Sequence, residues 1–223
     1  MMLAFFENWF SYIMTNSSYL LEQFGTHAYL ALTSVAFCII IGLPLGIAIY
    51  LHRRWEGPVM TVINTVQTVP SMAMLTVLLI FFGLGTTTVV ILVVLYSLLP
   101  IVKNTFAGLN SVNAVYLDSA KGMGMTQTQI LLMVQIPLAL PILLVGVKNA
   151  LVLAVGTTTI GSFVGAGGLG DIILRGINTV GGTSIILTGA LLCALIAFGF
   201  EALINEVEKQ LQHSFSGIKK EKI

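Results

Sequence analysis

Five stretches of predominantly apolar residues constrain this chain more than any other feature, because an apolar run of about 20 residues can cross a membrane as a helix. Of the 223 residues, 57% are hydrophobic and 9% are charged, whereas a soluble domain carries about 25% charged residues. The mean hydropathy is +0.98. The sequence therefore predicts an all-α integral membrane protein with five transmembrane helices, at about residues 28–51, 58–82, 89–102 (beginning near residue 85), 138–165 and 184–205.

The basic residues are divided unevenly between the two sides of such a bundle. Only Arg175 falls on one side, whereas nine of the ten lysines and arginines fall on or near the other: Arg53, Arg54, Lys103, Lys121, Lys148, Lys209, Lys219, Lys220 and Lys222. Loops rich in Lys and Arg stay in the cytoplasm. The sequence therefore predicts an N-terminus outside and a cytoplasmic C-terminus, as an odd number of spans requires.

The N-terminal 27 residues carry no lysine or arginine and therefore lack the basic start of a signal peptide. Their aromatic residues are typical of a helix lying in the outer membrane interface, with a contact between subunits as the alternative. We accordingly divide the chain into an extracellular or interfacial segment (1–27), a transmembrane permease domain (28–209) and a polar, frayed cytoplasmic tail (210–223).

One polar segment, residues 118–137, interrupts the apolar sequence on the predicted cytoplasmic side. Asp118 is predicted to cap or open a helix, and Thr126 is a second candidate cap. The simplest interpretation is two short helices separated near residues 122–125. Pro137 lacks a backbone donor and is expected to force a bend before the fourth span.

The spacing within this polar segment resembles the EAA motif of ATP-binding cassette (ABC) importer permeases, which reads Glu-Ala-Ala, three residues, Gly, nine residues, Ile, any residue, Leu, Pro. Ala120, Gly124 and Pro137 match outright, whereas Asp118 stands in place of the glutamate and Ser119 in place of an alanine. Three further stretches are similar to the osmoprotectant branch of that family: Thr68-Val69-Pro70-Ser71, Leu98-Leu99-Pro100-Ile101-Val102-Lys103-Asn104-Thr105 and Gly165-Ala166-Gly167-Gly168-Leu169-Gly170-Asp171.

The resemblance implies a type I importer permease fold with five helices and cytoplasmic coupling helices. It further implies a bacterial plasma membrane, a second permease subunit that is identical or homologous, a cytoplasmic ABC ATPase dimer and an external substrate-binding protein. The substrates of that branch are glycine betaine, carnitine, choline and similar compounds. The ATPase-coupling role carries over to Asp118, Ser119, Ala120, Lys121, Gly122, Gly124 and Pro137.

The second span holds the candidate pathway residues. Pro70-Ser71 frees a backbone carbonyl and bends the helix, which suits either a gate or a packing kink. Asn64 and Gln67 precede the bend, and polar residues within a span usually face the bundle or a watery cavity. This face of the helix is therefore the candidate lining of the pathway.

The glycine-rich stretch 165–170 formally fits G-x-G-x-x-G, but a dinucleotide site needs a preceding strand, which a membrane span does not supply. We expect a flexible or tightly turned external connection that contacts the binding protein. Asp171 and Arg175 lie four residues apart and are expected to pair on one helix face.

The chain has no G-x-x-x-x-G-K-[ST] phosphate loop, so ATP and magnesium are expected on the partner ATPase, with no cofactor bound here. The cysteines and histidines lack metal-ligand spacing, and a net charge of +1 gives no sign of nucleic-acid binding. The favoured function is the non-enzymatic permease subunit of an osmoprotectant importer. An ion-coupled secondary transporter or channel is the first alternative, and a non-transporting membrane scaffold is the second.

Overall fold

The computed structural model describes the backbone of residues 2–220 and the side chains of residues 5–211. Every regular element in this part of the chain is a helix. The α-helices are α1 (Met2–Thr15), α2 (Ser17–Leu51), α3 (Glu56–Thr68), α4 (Ser71–Phe82), α5 (Thr86–Asn110), α6 (Ala114–Gly122), α7 (Gln127–Ile130), α8 (Ile136–Thr158), α9 (Leu169–Ile177) and α10 (Thr183–Lys220). A π-helical turn, Leu131–Gln135, joins α7 to α8, and 3₁₀ turns lie at Arg53–Trp55 and Thr159–Val164.

Four helical runs are long and apolar enough to cross a membrane, and α3 with α4 makes a fifth if this bent pair counts as one span. The first span begins 11 residues earlier than predicted, because α2 starts at Ser17 rather than near Ala28. The predicted boundary between residues 27 and 28 therefore falls inside a continuous helix. The third span begins as expected at Thr86 but continues through Asn110, eight residues beyond its predicted end.

The second span, predicted for residues 58–82 as a helix bent at Pro70-Ser71, is two separate helices. It is broken at Val69 and Pro70, and α3 and α4 meet there at 99°. Both residues have extended backbone, with ψ of 131°. Proline explains the position of the break, since its ring disfavours a helical conformation in the preceding residue and it donates no hydrogen bond. The size of the bend depends on contacts with α5, described below.

The long helix α5 lies at the centre of the bundle and packs against α2, α3, α4 and α8. The largest apolar core runs between α2, α4, α5, α8, α9 and α10. Its fully buried members include Leu30, Val89, Leu92, Leu169 and Ile172. The short helix α9 is therefore part of the core and not a loose connection.

The bundle has two ends, which we name the α6 end and the α9 end after the short helices found there. At the α6 end, the Arg53 side chain donates to the Asn110 side chain and joins the 3₁₀ turn after α2 to the last residue of α5. At the α9 end, the Gly85 amide donates to the Val164 carbonyl at 3.0 Å, which joins the N-cap of α5 to the 3₁₀ turn that follows α8. Helix α1 is tied to α10 there by Trp9, whose Nε1 donates to Thr188 Oγ1 at 2.9 Å.

An ion pair links α8 to α10 within the bundle. Lys148 Nζ bonds Glu208 Oε2, and the two side chains are only 19% and 21% exposed. Lys148 therefore has a charged partner within the described part of the chain. Helix α10 continues through Lys220, so the backbone is helical beyond residue 210, where a frayed tail was predicted.

Candidate functional site

The first short helix of the polar segment, α6, is capped by Asn113 and not by Asp118. The Asn113 side chain accepts a hydrogen bond from the Val115 amide at 2.9 Å, as an N-cap residue does. Asp118 lies in the middle of α6, where its carboxylate pairs with Lys121 at 3.2 Å. Both side chains are exposed, so this pair adds little stability and leaves both charges open to a partner.

Helix α6 ends in a Schellman motif centred on Gly124. The Gly124 amide donates to the Lys121 carbonyl at 2.9 Å, and the Met125 amide donates to the Ala120 carbonyl at 3.1 Å. These are the two bonds that define this helix termination, which places a left-handed residue directly after the C-cap. Gly124 has φ +79°, a conformation that glycine adopts without steric cost. The glycine of the predicted motif thus sets the turn between the two short helices.

The second short helix, α7, begins with the capping box of Thr126 and Gln129. The Gln129 amide donates to Thr126 Oγ1 at 3.3 Å, and the Thr126 amide donates to Gln129 Oε1 at 2.8 Å. This confirms the predicted cap at Thr126.

Pro137 lies in the first turn of α8, a position that tolerates proline, and the chain stays helical from Gln127 to Val164. The expected bend at Pro137 is replaced by the π-helical turn that precedes it.

The base of this segment is fixed to the bundle while its tip is exposed. Ala120 and Gln135 are buried, and the Gln135 amide donates to the Tyr50 hydroxyl on α2. Around them, large apolar side chains remain open to solvent, namely Val115, Tyr116, Met123, Leu132 and Met133. Exposed apolar surface is typical of protein–protein or membrane interaction sites.

The break between α3 and α4 is fastened to α5 by Tyr96. The Tyr96 hydroxyl donates to the Val69 carbonyl, and the Gln67 side chain donates to the Tyr96 carbonyl. The carbonyl freed by the break therefore has a side-chain partner, and the bend has a fixed place on α5.

A cavity of about 610 Å³ opens beside this break, between α3, α5 and α8. Gln67 reaches it from α3, and Lys103, Asn104 and Asn149 contribute further polar groups from α5 and α8. Of the four predicted pathway residues, Gln67 lines this cavity. Asn64 and Pro70 are exposed on the surface of the chain, and Ser71 is half-buried at the start of α4.

Sequence reasoning did not identify Lys103, Asn104 and Asn149 as cavity residues. Lys103 and Asn104 lie in a stretch that resembles the osmoprotectant branch, Lys103 was otherwise assigned only to the basic side of the bundle, and Asn149 belongs to no motif. These residues could have been found because they place amide and amino groups within or beside a membrane span. Polar side chains at such positions usually face a bundle interior or a cavity.

At the α9 end, the predicted pair of Asp171 and Arg175 is present, with Arg175 Nε donating to Asp171 Oδ2 at 2.9 Å. The same carboxylate accepts from the Tyr19 hydroxyl, and the guanidinium lies 4.5 Å from the centroid of the Tyr19 ring. The hydrogen bond to Asp171 raises the pKa of Arg175 above its ordinary value. This cluster joins α9 to the first turn of α2.

Comparison with known proteins agrees with this architecture. The model of a family described as "Binding-protein-dependent transport system inner membrane component" matches residues 38–212. The carnitine transport permease protein OpuCD of Listeria monocytogenes (serotype 1/2a, strain 10403S) is 48% identical over 200 residues, covering 90% of each chain. The glycine betaine/carnitine/choline transport system permease protein OpuCD of Bacillus subtilis (strain 168) is 48% identical over 212 residues, covering 95% of this chain and 91% of the relative.

The fold is also found among solved structures. A chain of the MetNI methionine ABC transporter, crystallised in an inward-facing conformation, superimposes with a TM-score of 0.78. The match covers 86% of this chain and 96% of that chain at 21% sequence identity. The type I importer permease fold predicted from the sequence is thereby confirmed.

Proposed function

The chain belongs to the family of inner membrane components of binding-protein-dependent transport systems, and we propose that it carries quaternary-ammonium osmoprotectants across the membrane. It is a permease subunit of an ABC importer, a translocation component and not an enzyme. The observation that carries the mechanism is the rigid polar segment with an exposed apolar tip.

Transport by this subunit requires an energy source on another protein, and the polar segment is suited to receive it. Its tip offers the exposed apolar side chain of Met123, in the same segment as the charges of Asp118 and Lys121. Its base is fixed to α2 and continues into α8. When the ATPase dimer closes on ATP, a push on this tip therefore moves α8 as a rigid helix, and the bundle alternates between its two open states.

The proposed arrangement places the α6 end in the cytoplasm and the α9 end outside. The lysine and arginine distribution supports this orientation, since Arg53, Arg54 and Lys121 lie at the α6 end. A loaded external binding protein would then dock at the α9 end. A second permease subunit, identical or homologous, would complete the pathway beside the cavity that Gln67 lines.

Glycine betaine, carnitine and choline are the proposed substrates because the two relatives named above are nearly half identical to this chain and transport such compounds by name. They share a quaternary ammonium group. The cavity beside the α3–α4 break has a volume of about 610 Å³, which lies within the range of small-molecule sites.

Reconstituted vesicles test the proposal. The chain is inserted with its ATPase, any companion permease and the binding protein, and uptake of radiolabelled glycine betaine, carnitine and choline is followed separately. We expect uptake of at least one compound that depends on both ATP and the binding protein. Uptake driven by an ion gradient without ATP would instead favour a secondary transporter, and an absence of uptake for all three would refute the proposed substrate class.

A further inference from the structure

A single histidine at the α9 end contacts two helix ends at once. His27, on α2, is 0% exposed. Its Nε2 lies 3.0 Å from the Val155 carbonyl oxygen, and its Nδ1 lies 3.2 Å from the Leu169 amide nitrogen. These partners are 128 and 142 residues away along the chain.

The two contacts define the state of the ring. A backbone N–H can only donate and a carbonyl oxygen can only accept, so Nδ1 accepts from Leu169 and Nε2 carries the hydrogen given to Val155. A neutral imidazole offers one donor and one acceptor, and here each has a partner. An imidazolium could not accept from Leu169 and would place positive charge at the positive end of α9.

Both partners are backbone groups near the ends of helices. Val155 lies in the last turn of α8, and Leu169 is the first residue of α9. Gln23, one turn before His27 on α2, accepts the neighbouring Gly168 amide at 2.7 Å. Two side chains of α2 therefore bond the amide of the N-cap residue Gly168 and the first amide of α9, and one of them also bonds the last turn of α8.

We infer that His27, assisted by Gln23, is a positioning residue that fixes the external helix α9 to the end of α8. The inference deepens the proposed function and rests on it. Helix α8 belongs to the helical run Gln127–Val164, which reaches the polar segment at its other end. With α9 held by His27, docking of the binding protein on the exposed surface near Arg175 and Val180 acts directly on the helix that the ATPase moves.

The test measures ATP hydrolysis by the reconstituted full complex against increasing concentrations of substrate-loaded binding protein. For His27→Leu we expect maximal stimulation to fall roughly tenfold, since buried amide and carbonyl groups lose their partners. Basal hydrolysis should persist, because the polar segment is untouched. His27→Asn should recover part of the stimulation, since its Oδ1 lies where Nδ1 was and can accept from Leu169. His52→Asn, at the exposed histidine of the α6 end, is the matched control.

Gln23 provides a second pair of variants that does not depend on a buried substitution. Gln23→Met removes the acceptor at constant size and should reduce stimulation, whereas Gln23→Glu keeps an acceptor at a helix N-terminus and should retain it. Amide hydrogen exchange in residues 168–177 should rise in His27→Leu and Gln23→Met. Normal stimulation and normal amide exchange in both variants would overturn this inference but leave the proposed function intact. A wild-type complex that the binding protein does not stimulate would overturn the proposed function, and the inference with it.

Discussion

Replacing Gly124 with alanine is expected to lower ATP-driven uptake about tenfold while leaving the chain inserted in the membrane. Gly124 has φ +79° and ends α6 in the Schellman motif. An added Cβ meets no atom within 4 Å, so the whole cost is the backbone conformation, about 1–2 kcal/mol for a residue other than glycine. The turn would shift, and with it the position of the tip of the polar segment on the ATPase. A cost of this size corresponds to roughly a tenfold change in the population of the competent segment.

The matched control is Gly122→Ala, two residues earlier. Its Cβ also meets no atom within 4 Å, but Gly122 is helical and its φ is not positive. Alanine is favoured over glycine in a helix, so most of the uptake should be retained. Uptake in vesicles is compared at equal amounts of inserted permease. Equal uptake by the two variants would show that the left-handed turn does not matter for coupling.

Replacing Gly170 with alanine is expected to destabilise the whole bundle. A Cβ on Gly170 would lie 1.9 Å from the Thr159 carbonyl oxygen and 2.7 Å from its carbonyl carbon. Both atoms belong to the backbone at the end of α8, so rotating a side chain cannot relieve the clash. Helix α9 would have to leave its place in the core, where Leu169 and Ile172 are fully buried. Severe overpacking of this kind costs roughly 3 kcal/mol or more.

The readout is the temperature at which the detergent-solubilised protein loses its monodisperse peak in size-exclusion chromatography. We expect the midpoint for Gly170→Ala to fall by roughly 10 °C. Gly156→Ala serves as the comparison, because its Cβ on α8 meets nothing within 4 Å and alanine suits a helix better than glycine. Its midpoint should be unchanged or higher. A similar loss in both variants would mean that α9 does not pack closely against the end of α8.

The fold was predictable from the sequence to the extent that it depends on local patterns. The length of the apolar runs predicted the spans, and the capping box at Thr126 follows from side chains three residues apart. The prediction that Asp118 caps a helix was wrong, and this error also has a local reason. Asn113 is an equally good capping residue, and the motif drew attention to the acidic residue instead.

The remaining features depend on distant partners. Pro70 predicted that the second span would bend, but the 99° angle is stabilised by Tyr96, which lies 27 residues beyond Val69. The sequence around Lys148 does not indicate that this lysine pairs with Glu208, 60 residues later. His27 stands alone in its part of the sequence, and its two backbone partners become visible only when α2, α8 and α9 are assembled.

The most direct test of the coupling mechanism is site-specific cross-linking in the assembled transporter. Met123 is 74% exposed at the tip of the polar segment, and Val180 is fully exposed beyond α9 at the other end. Each is replaced by cysteine in a variant whose native Cys38 and Cys193 are changed to alanine, and a thiol-directed photo-cross-linker is attached. We expect Met123→Cys to cross-link to the ATPase and Val180→Cys to cross-link to the binding protein. Cross-linking of Met123→Cys to the binding protein, or its labelling by a membrane-impermeant thiol reagent added outside intact cells, would contradict the account.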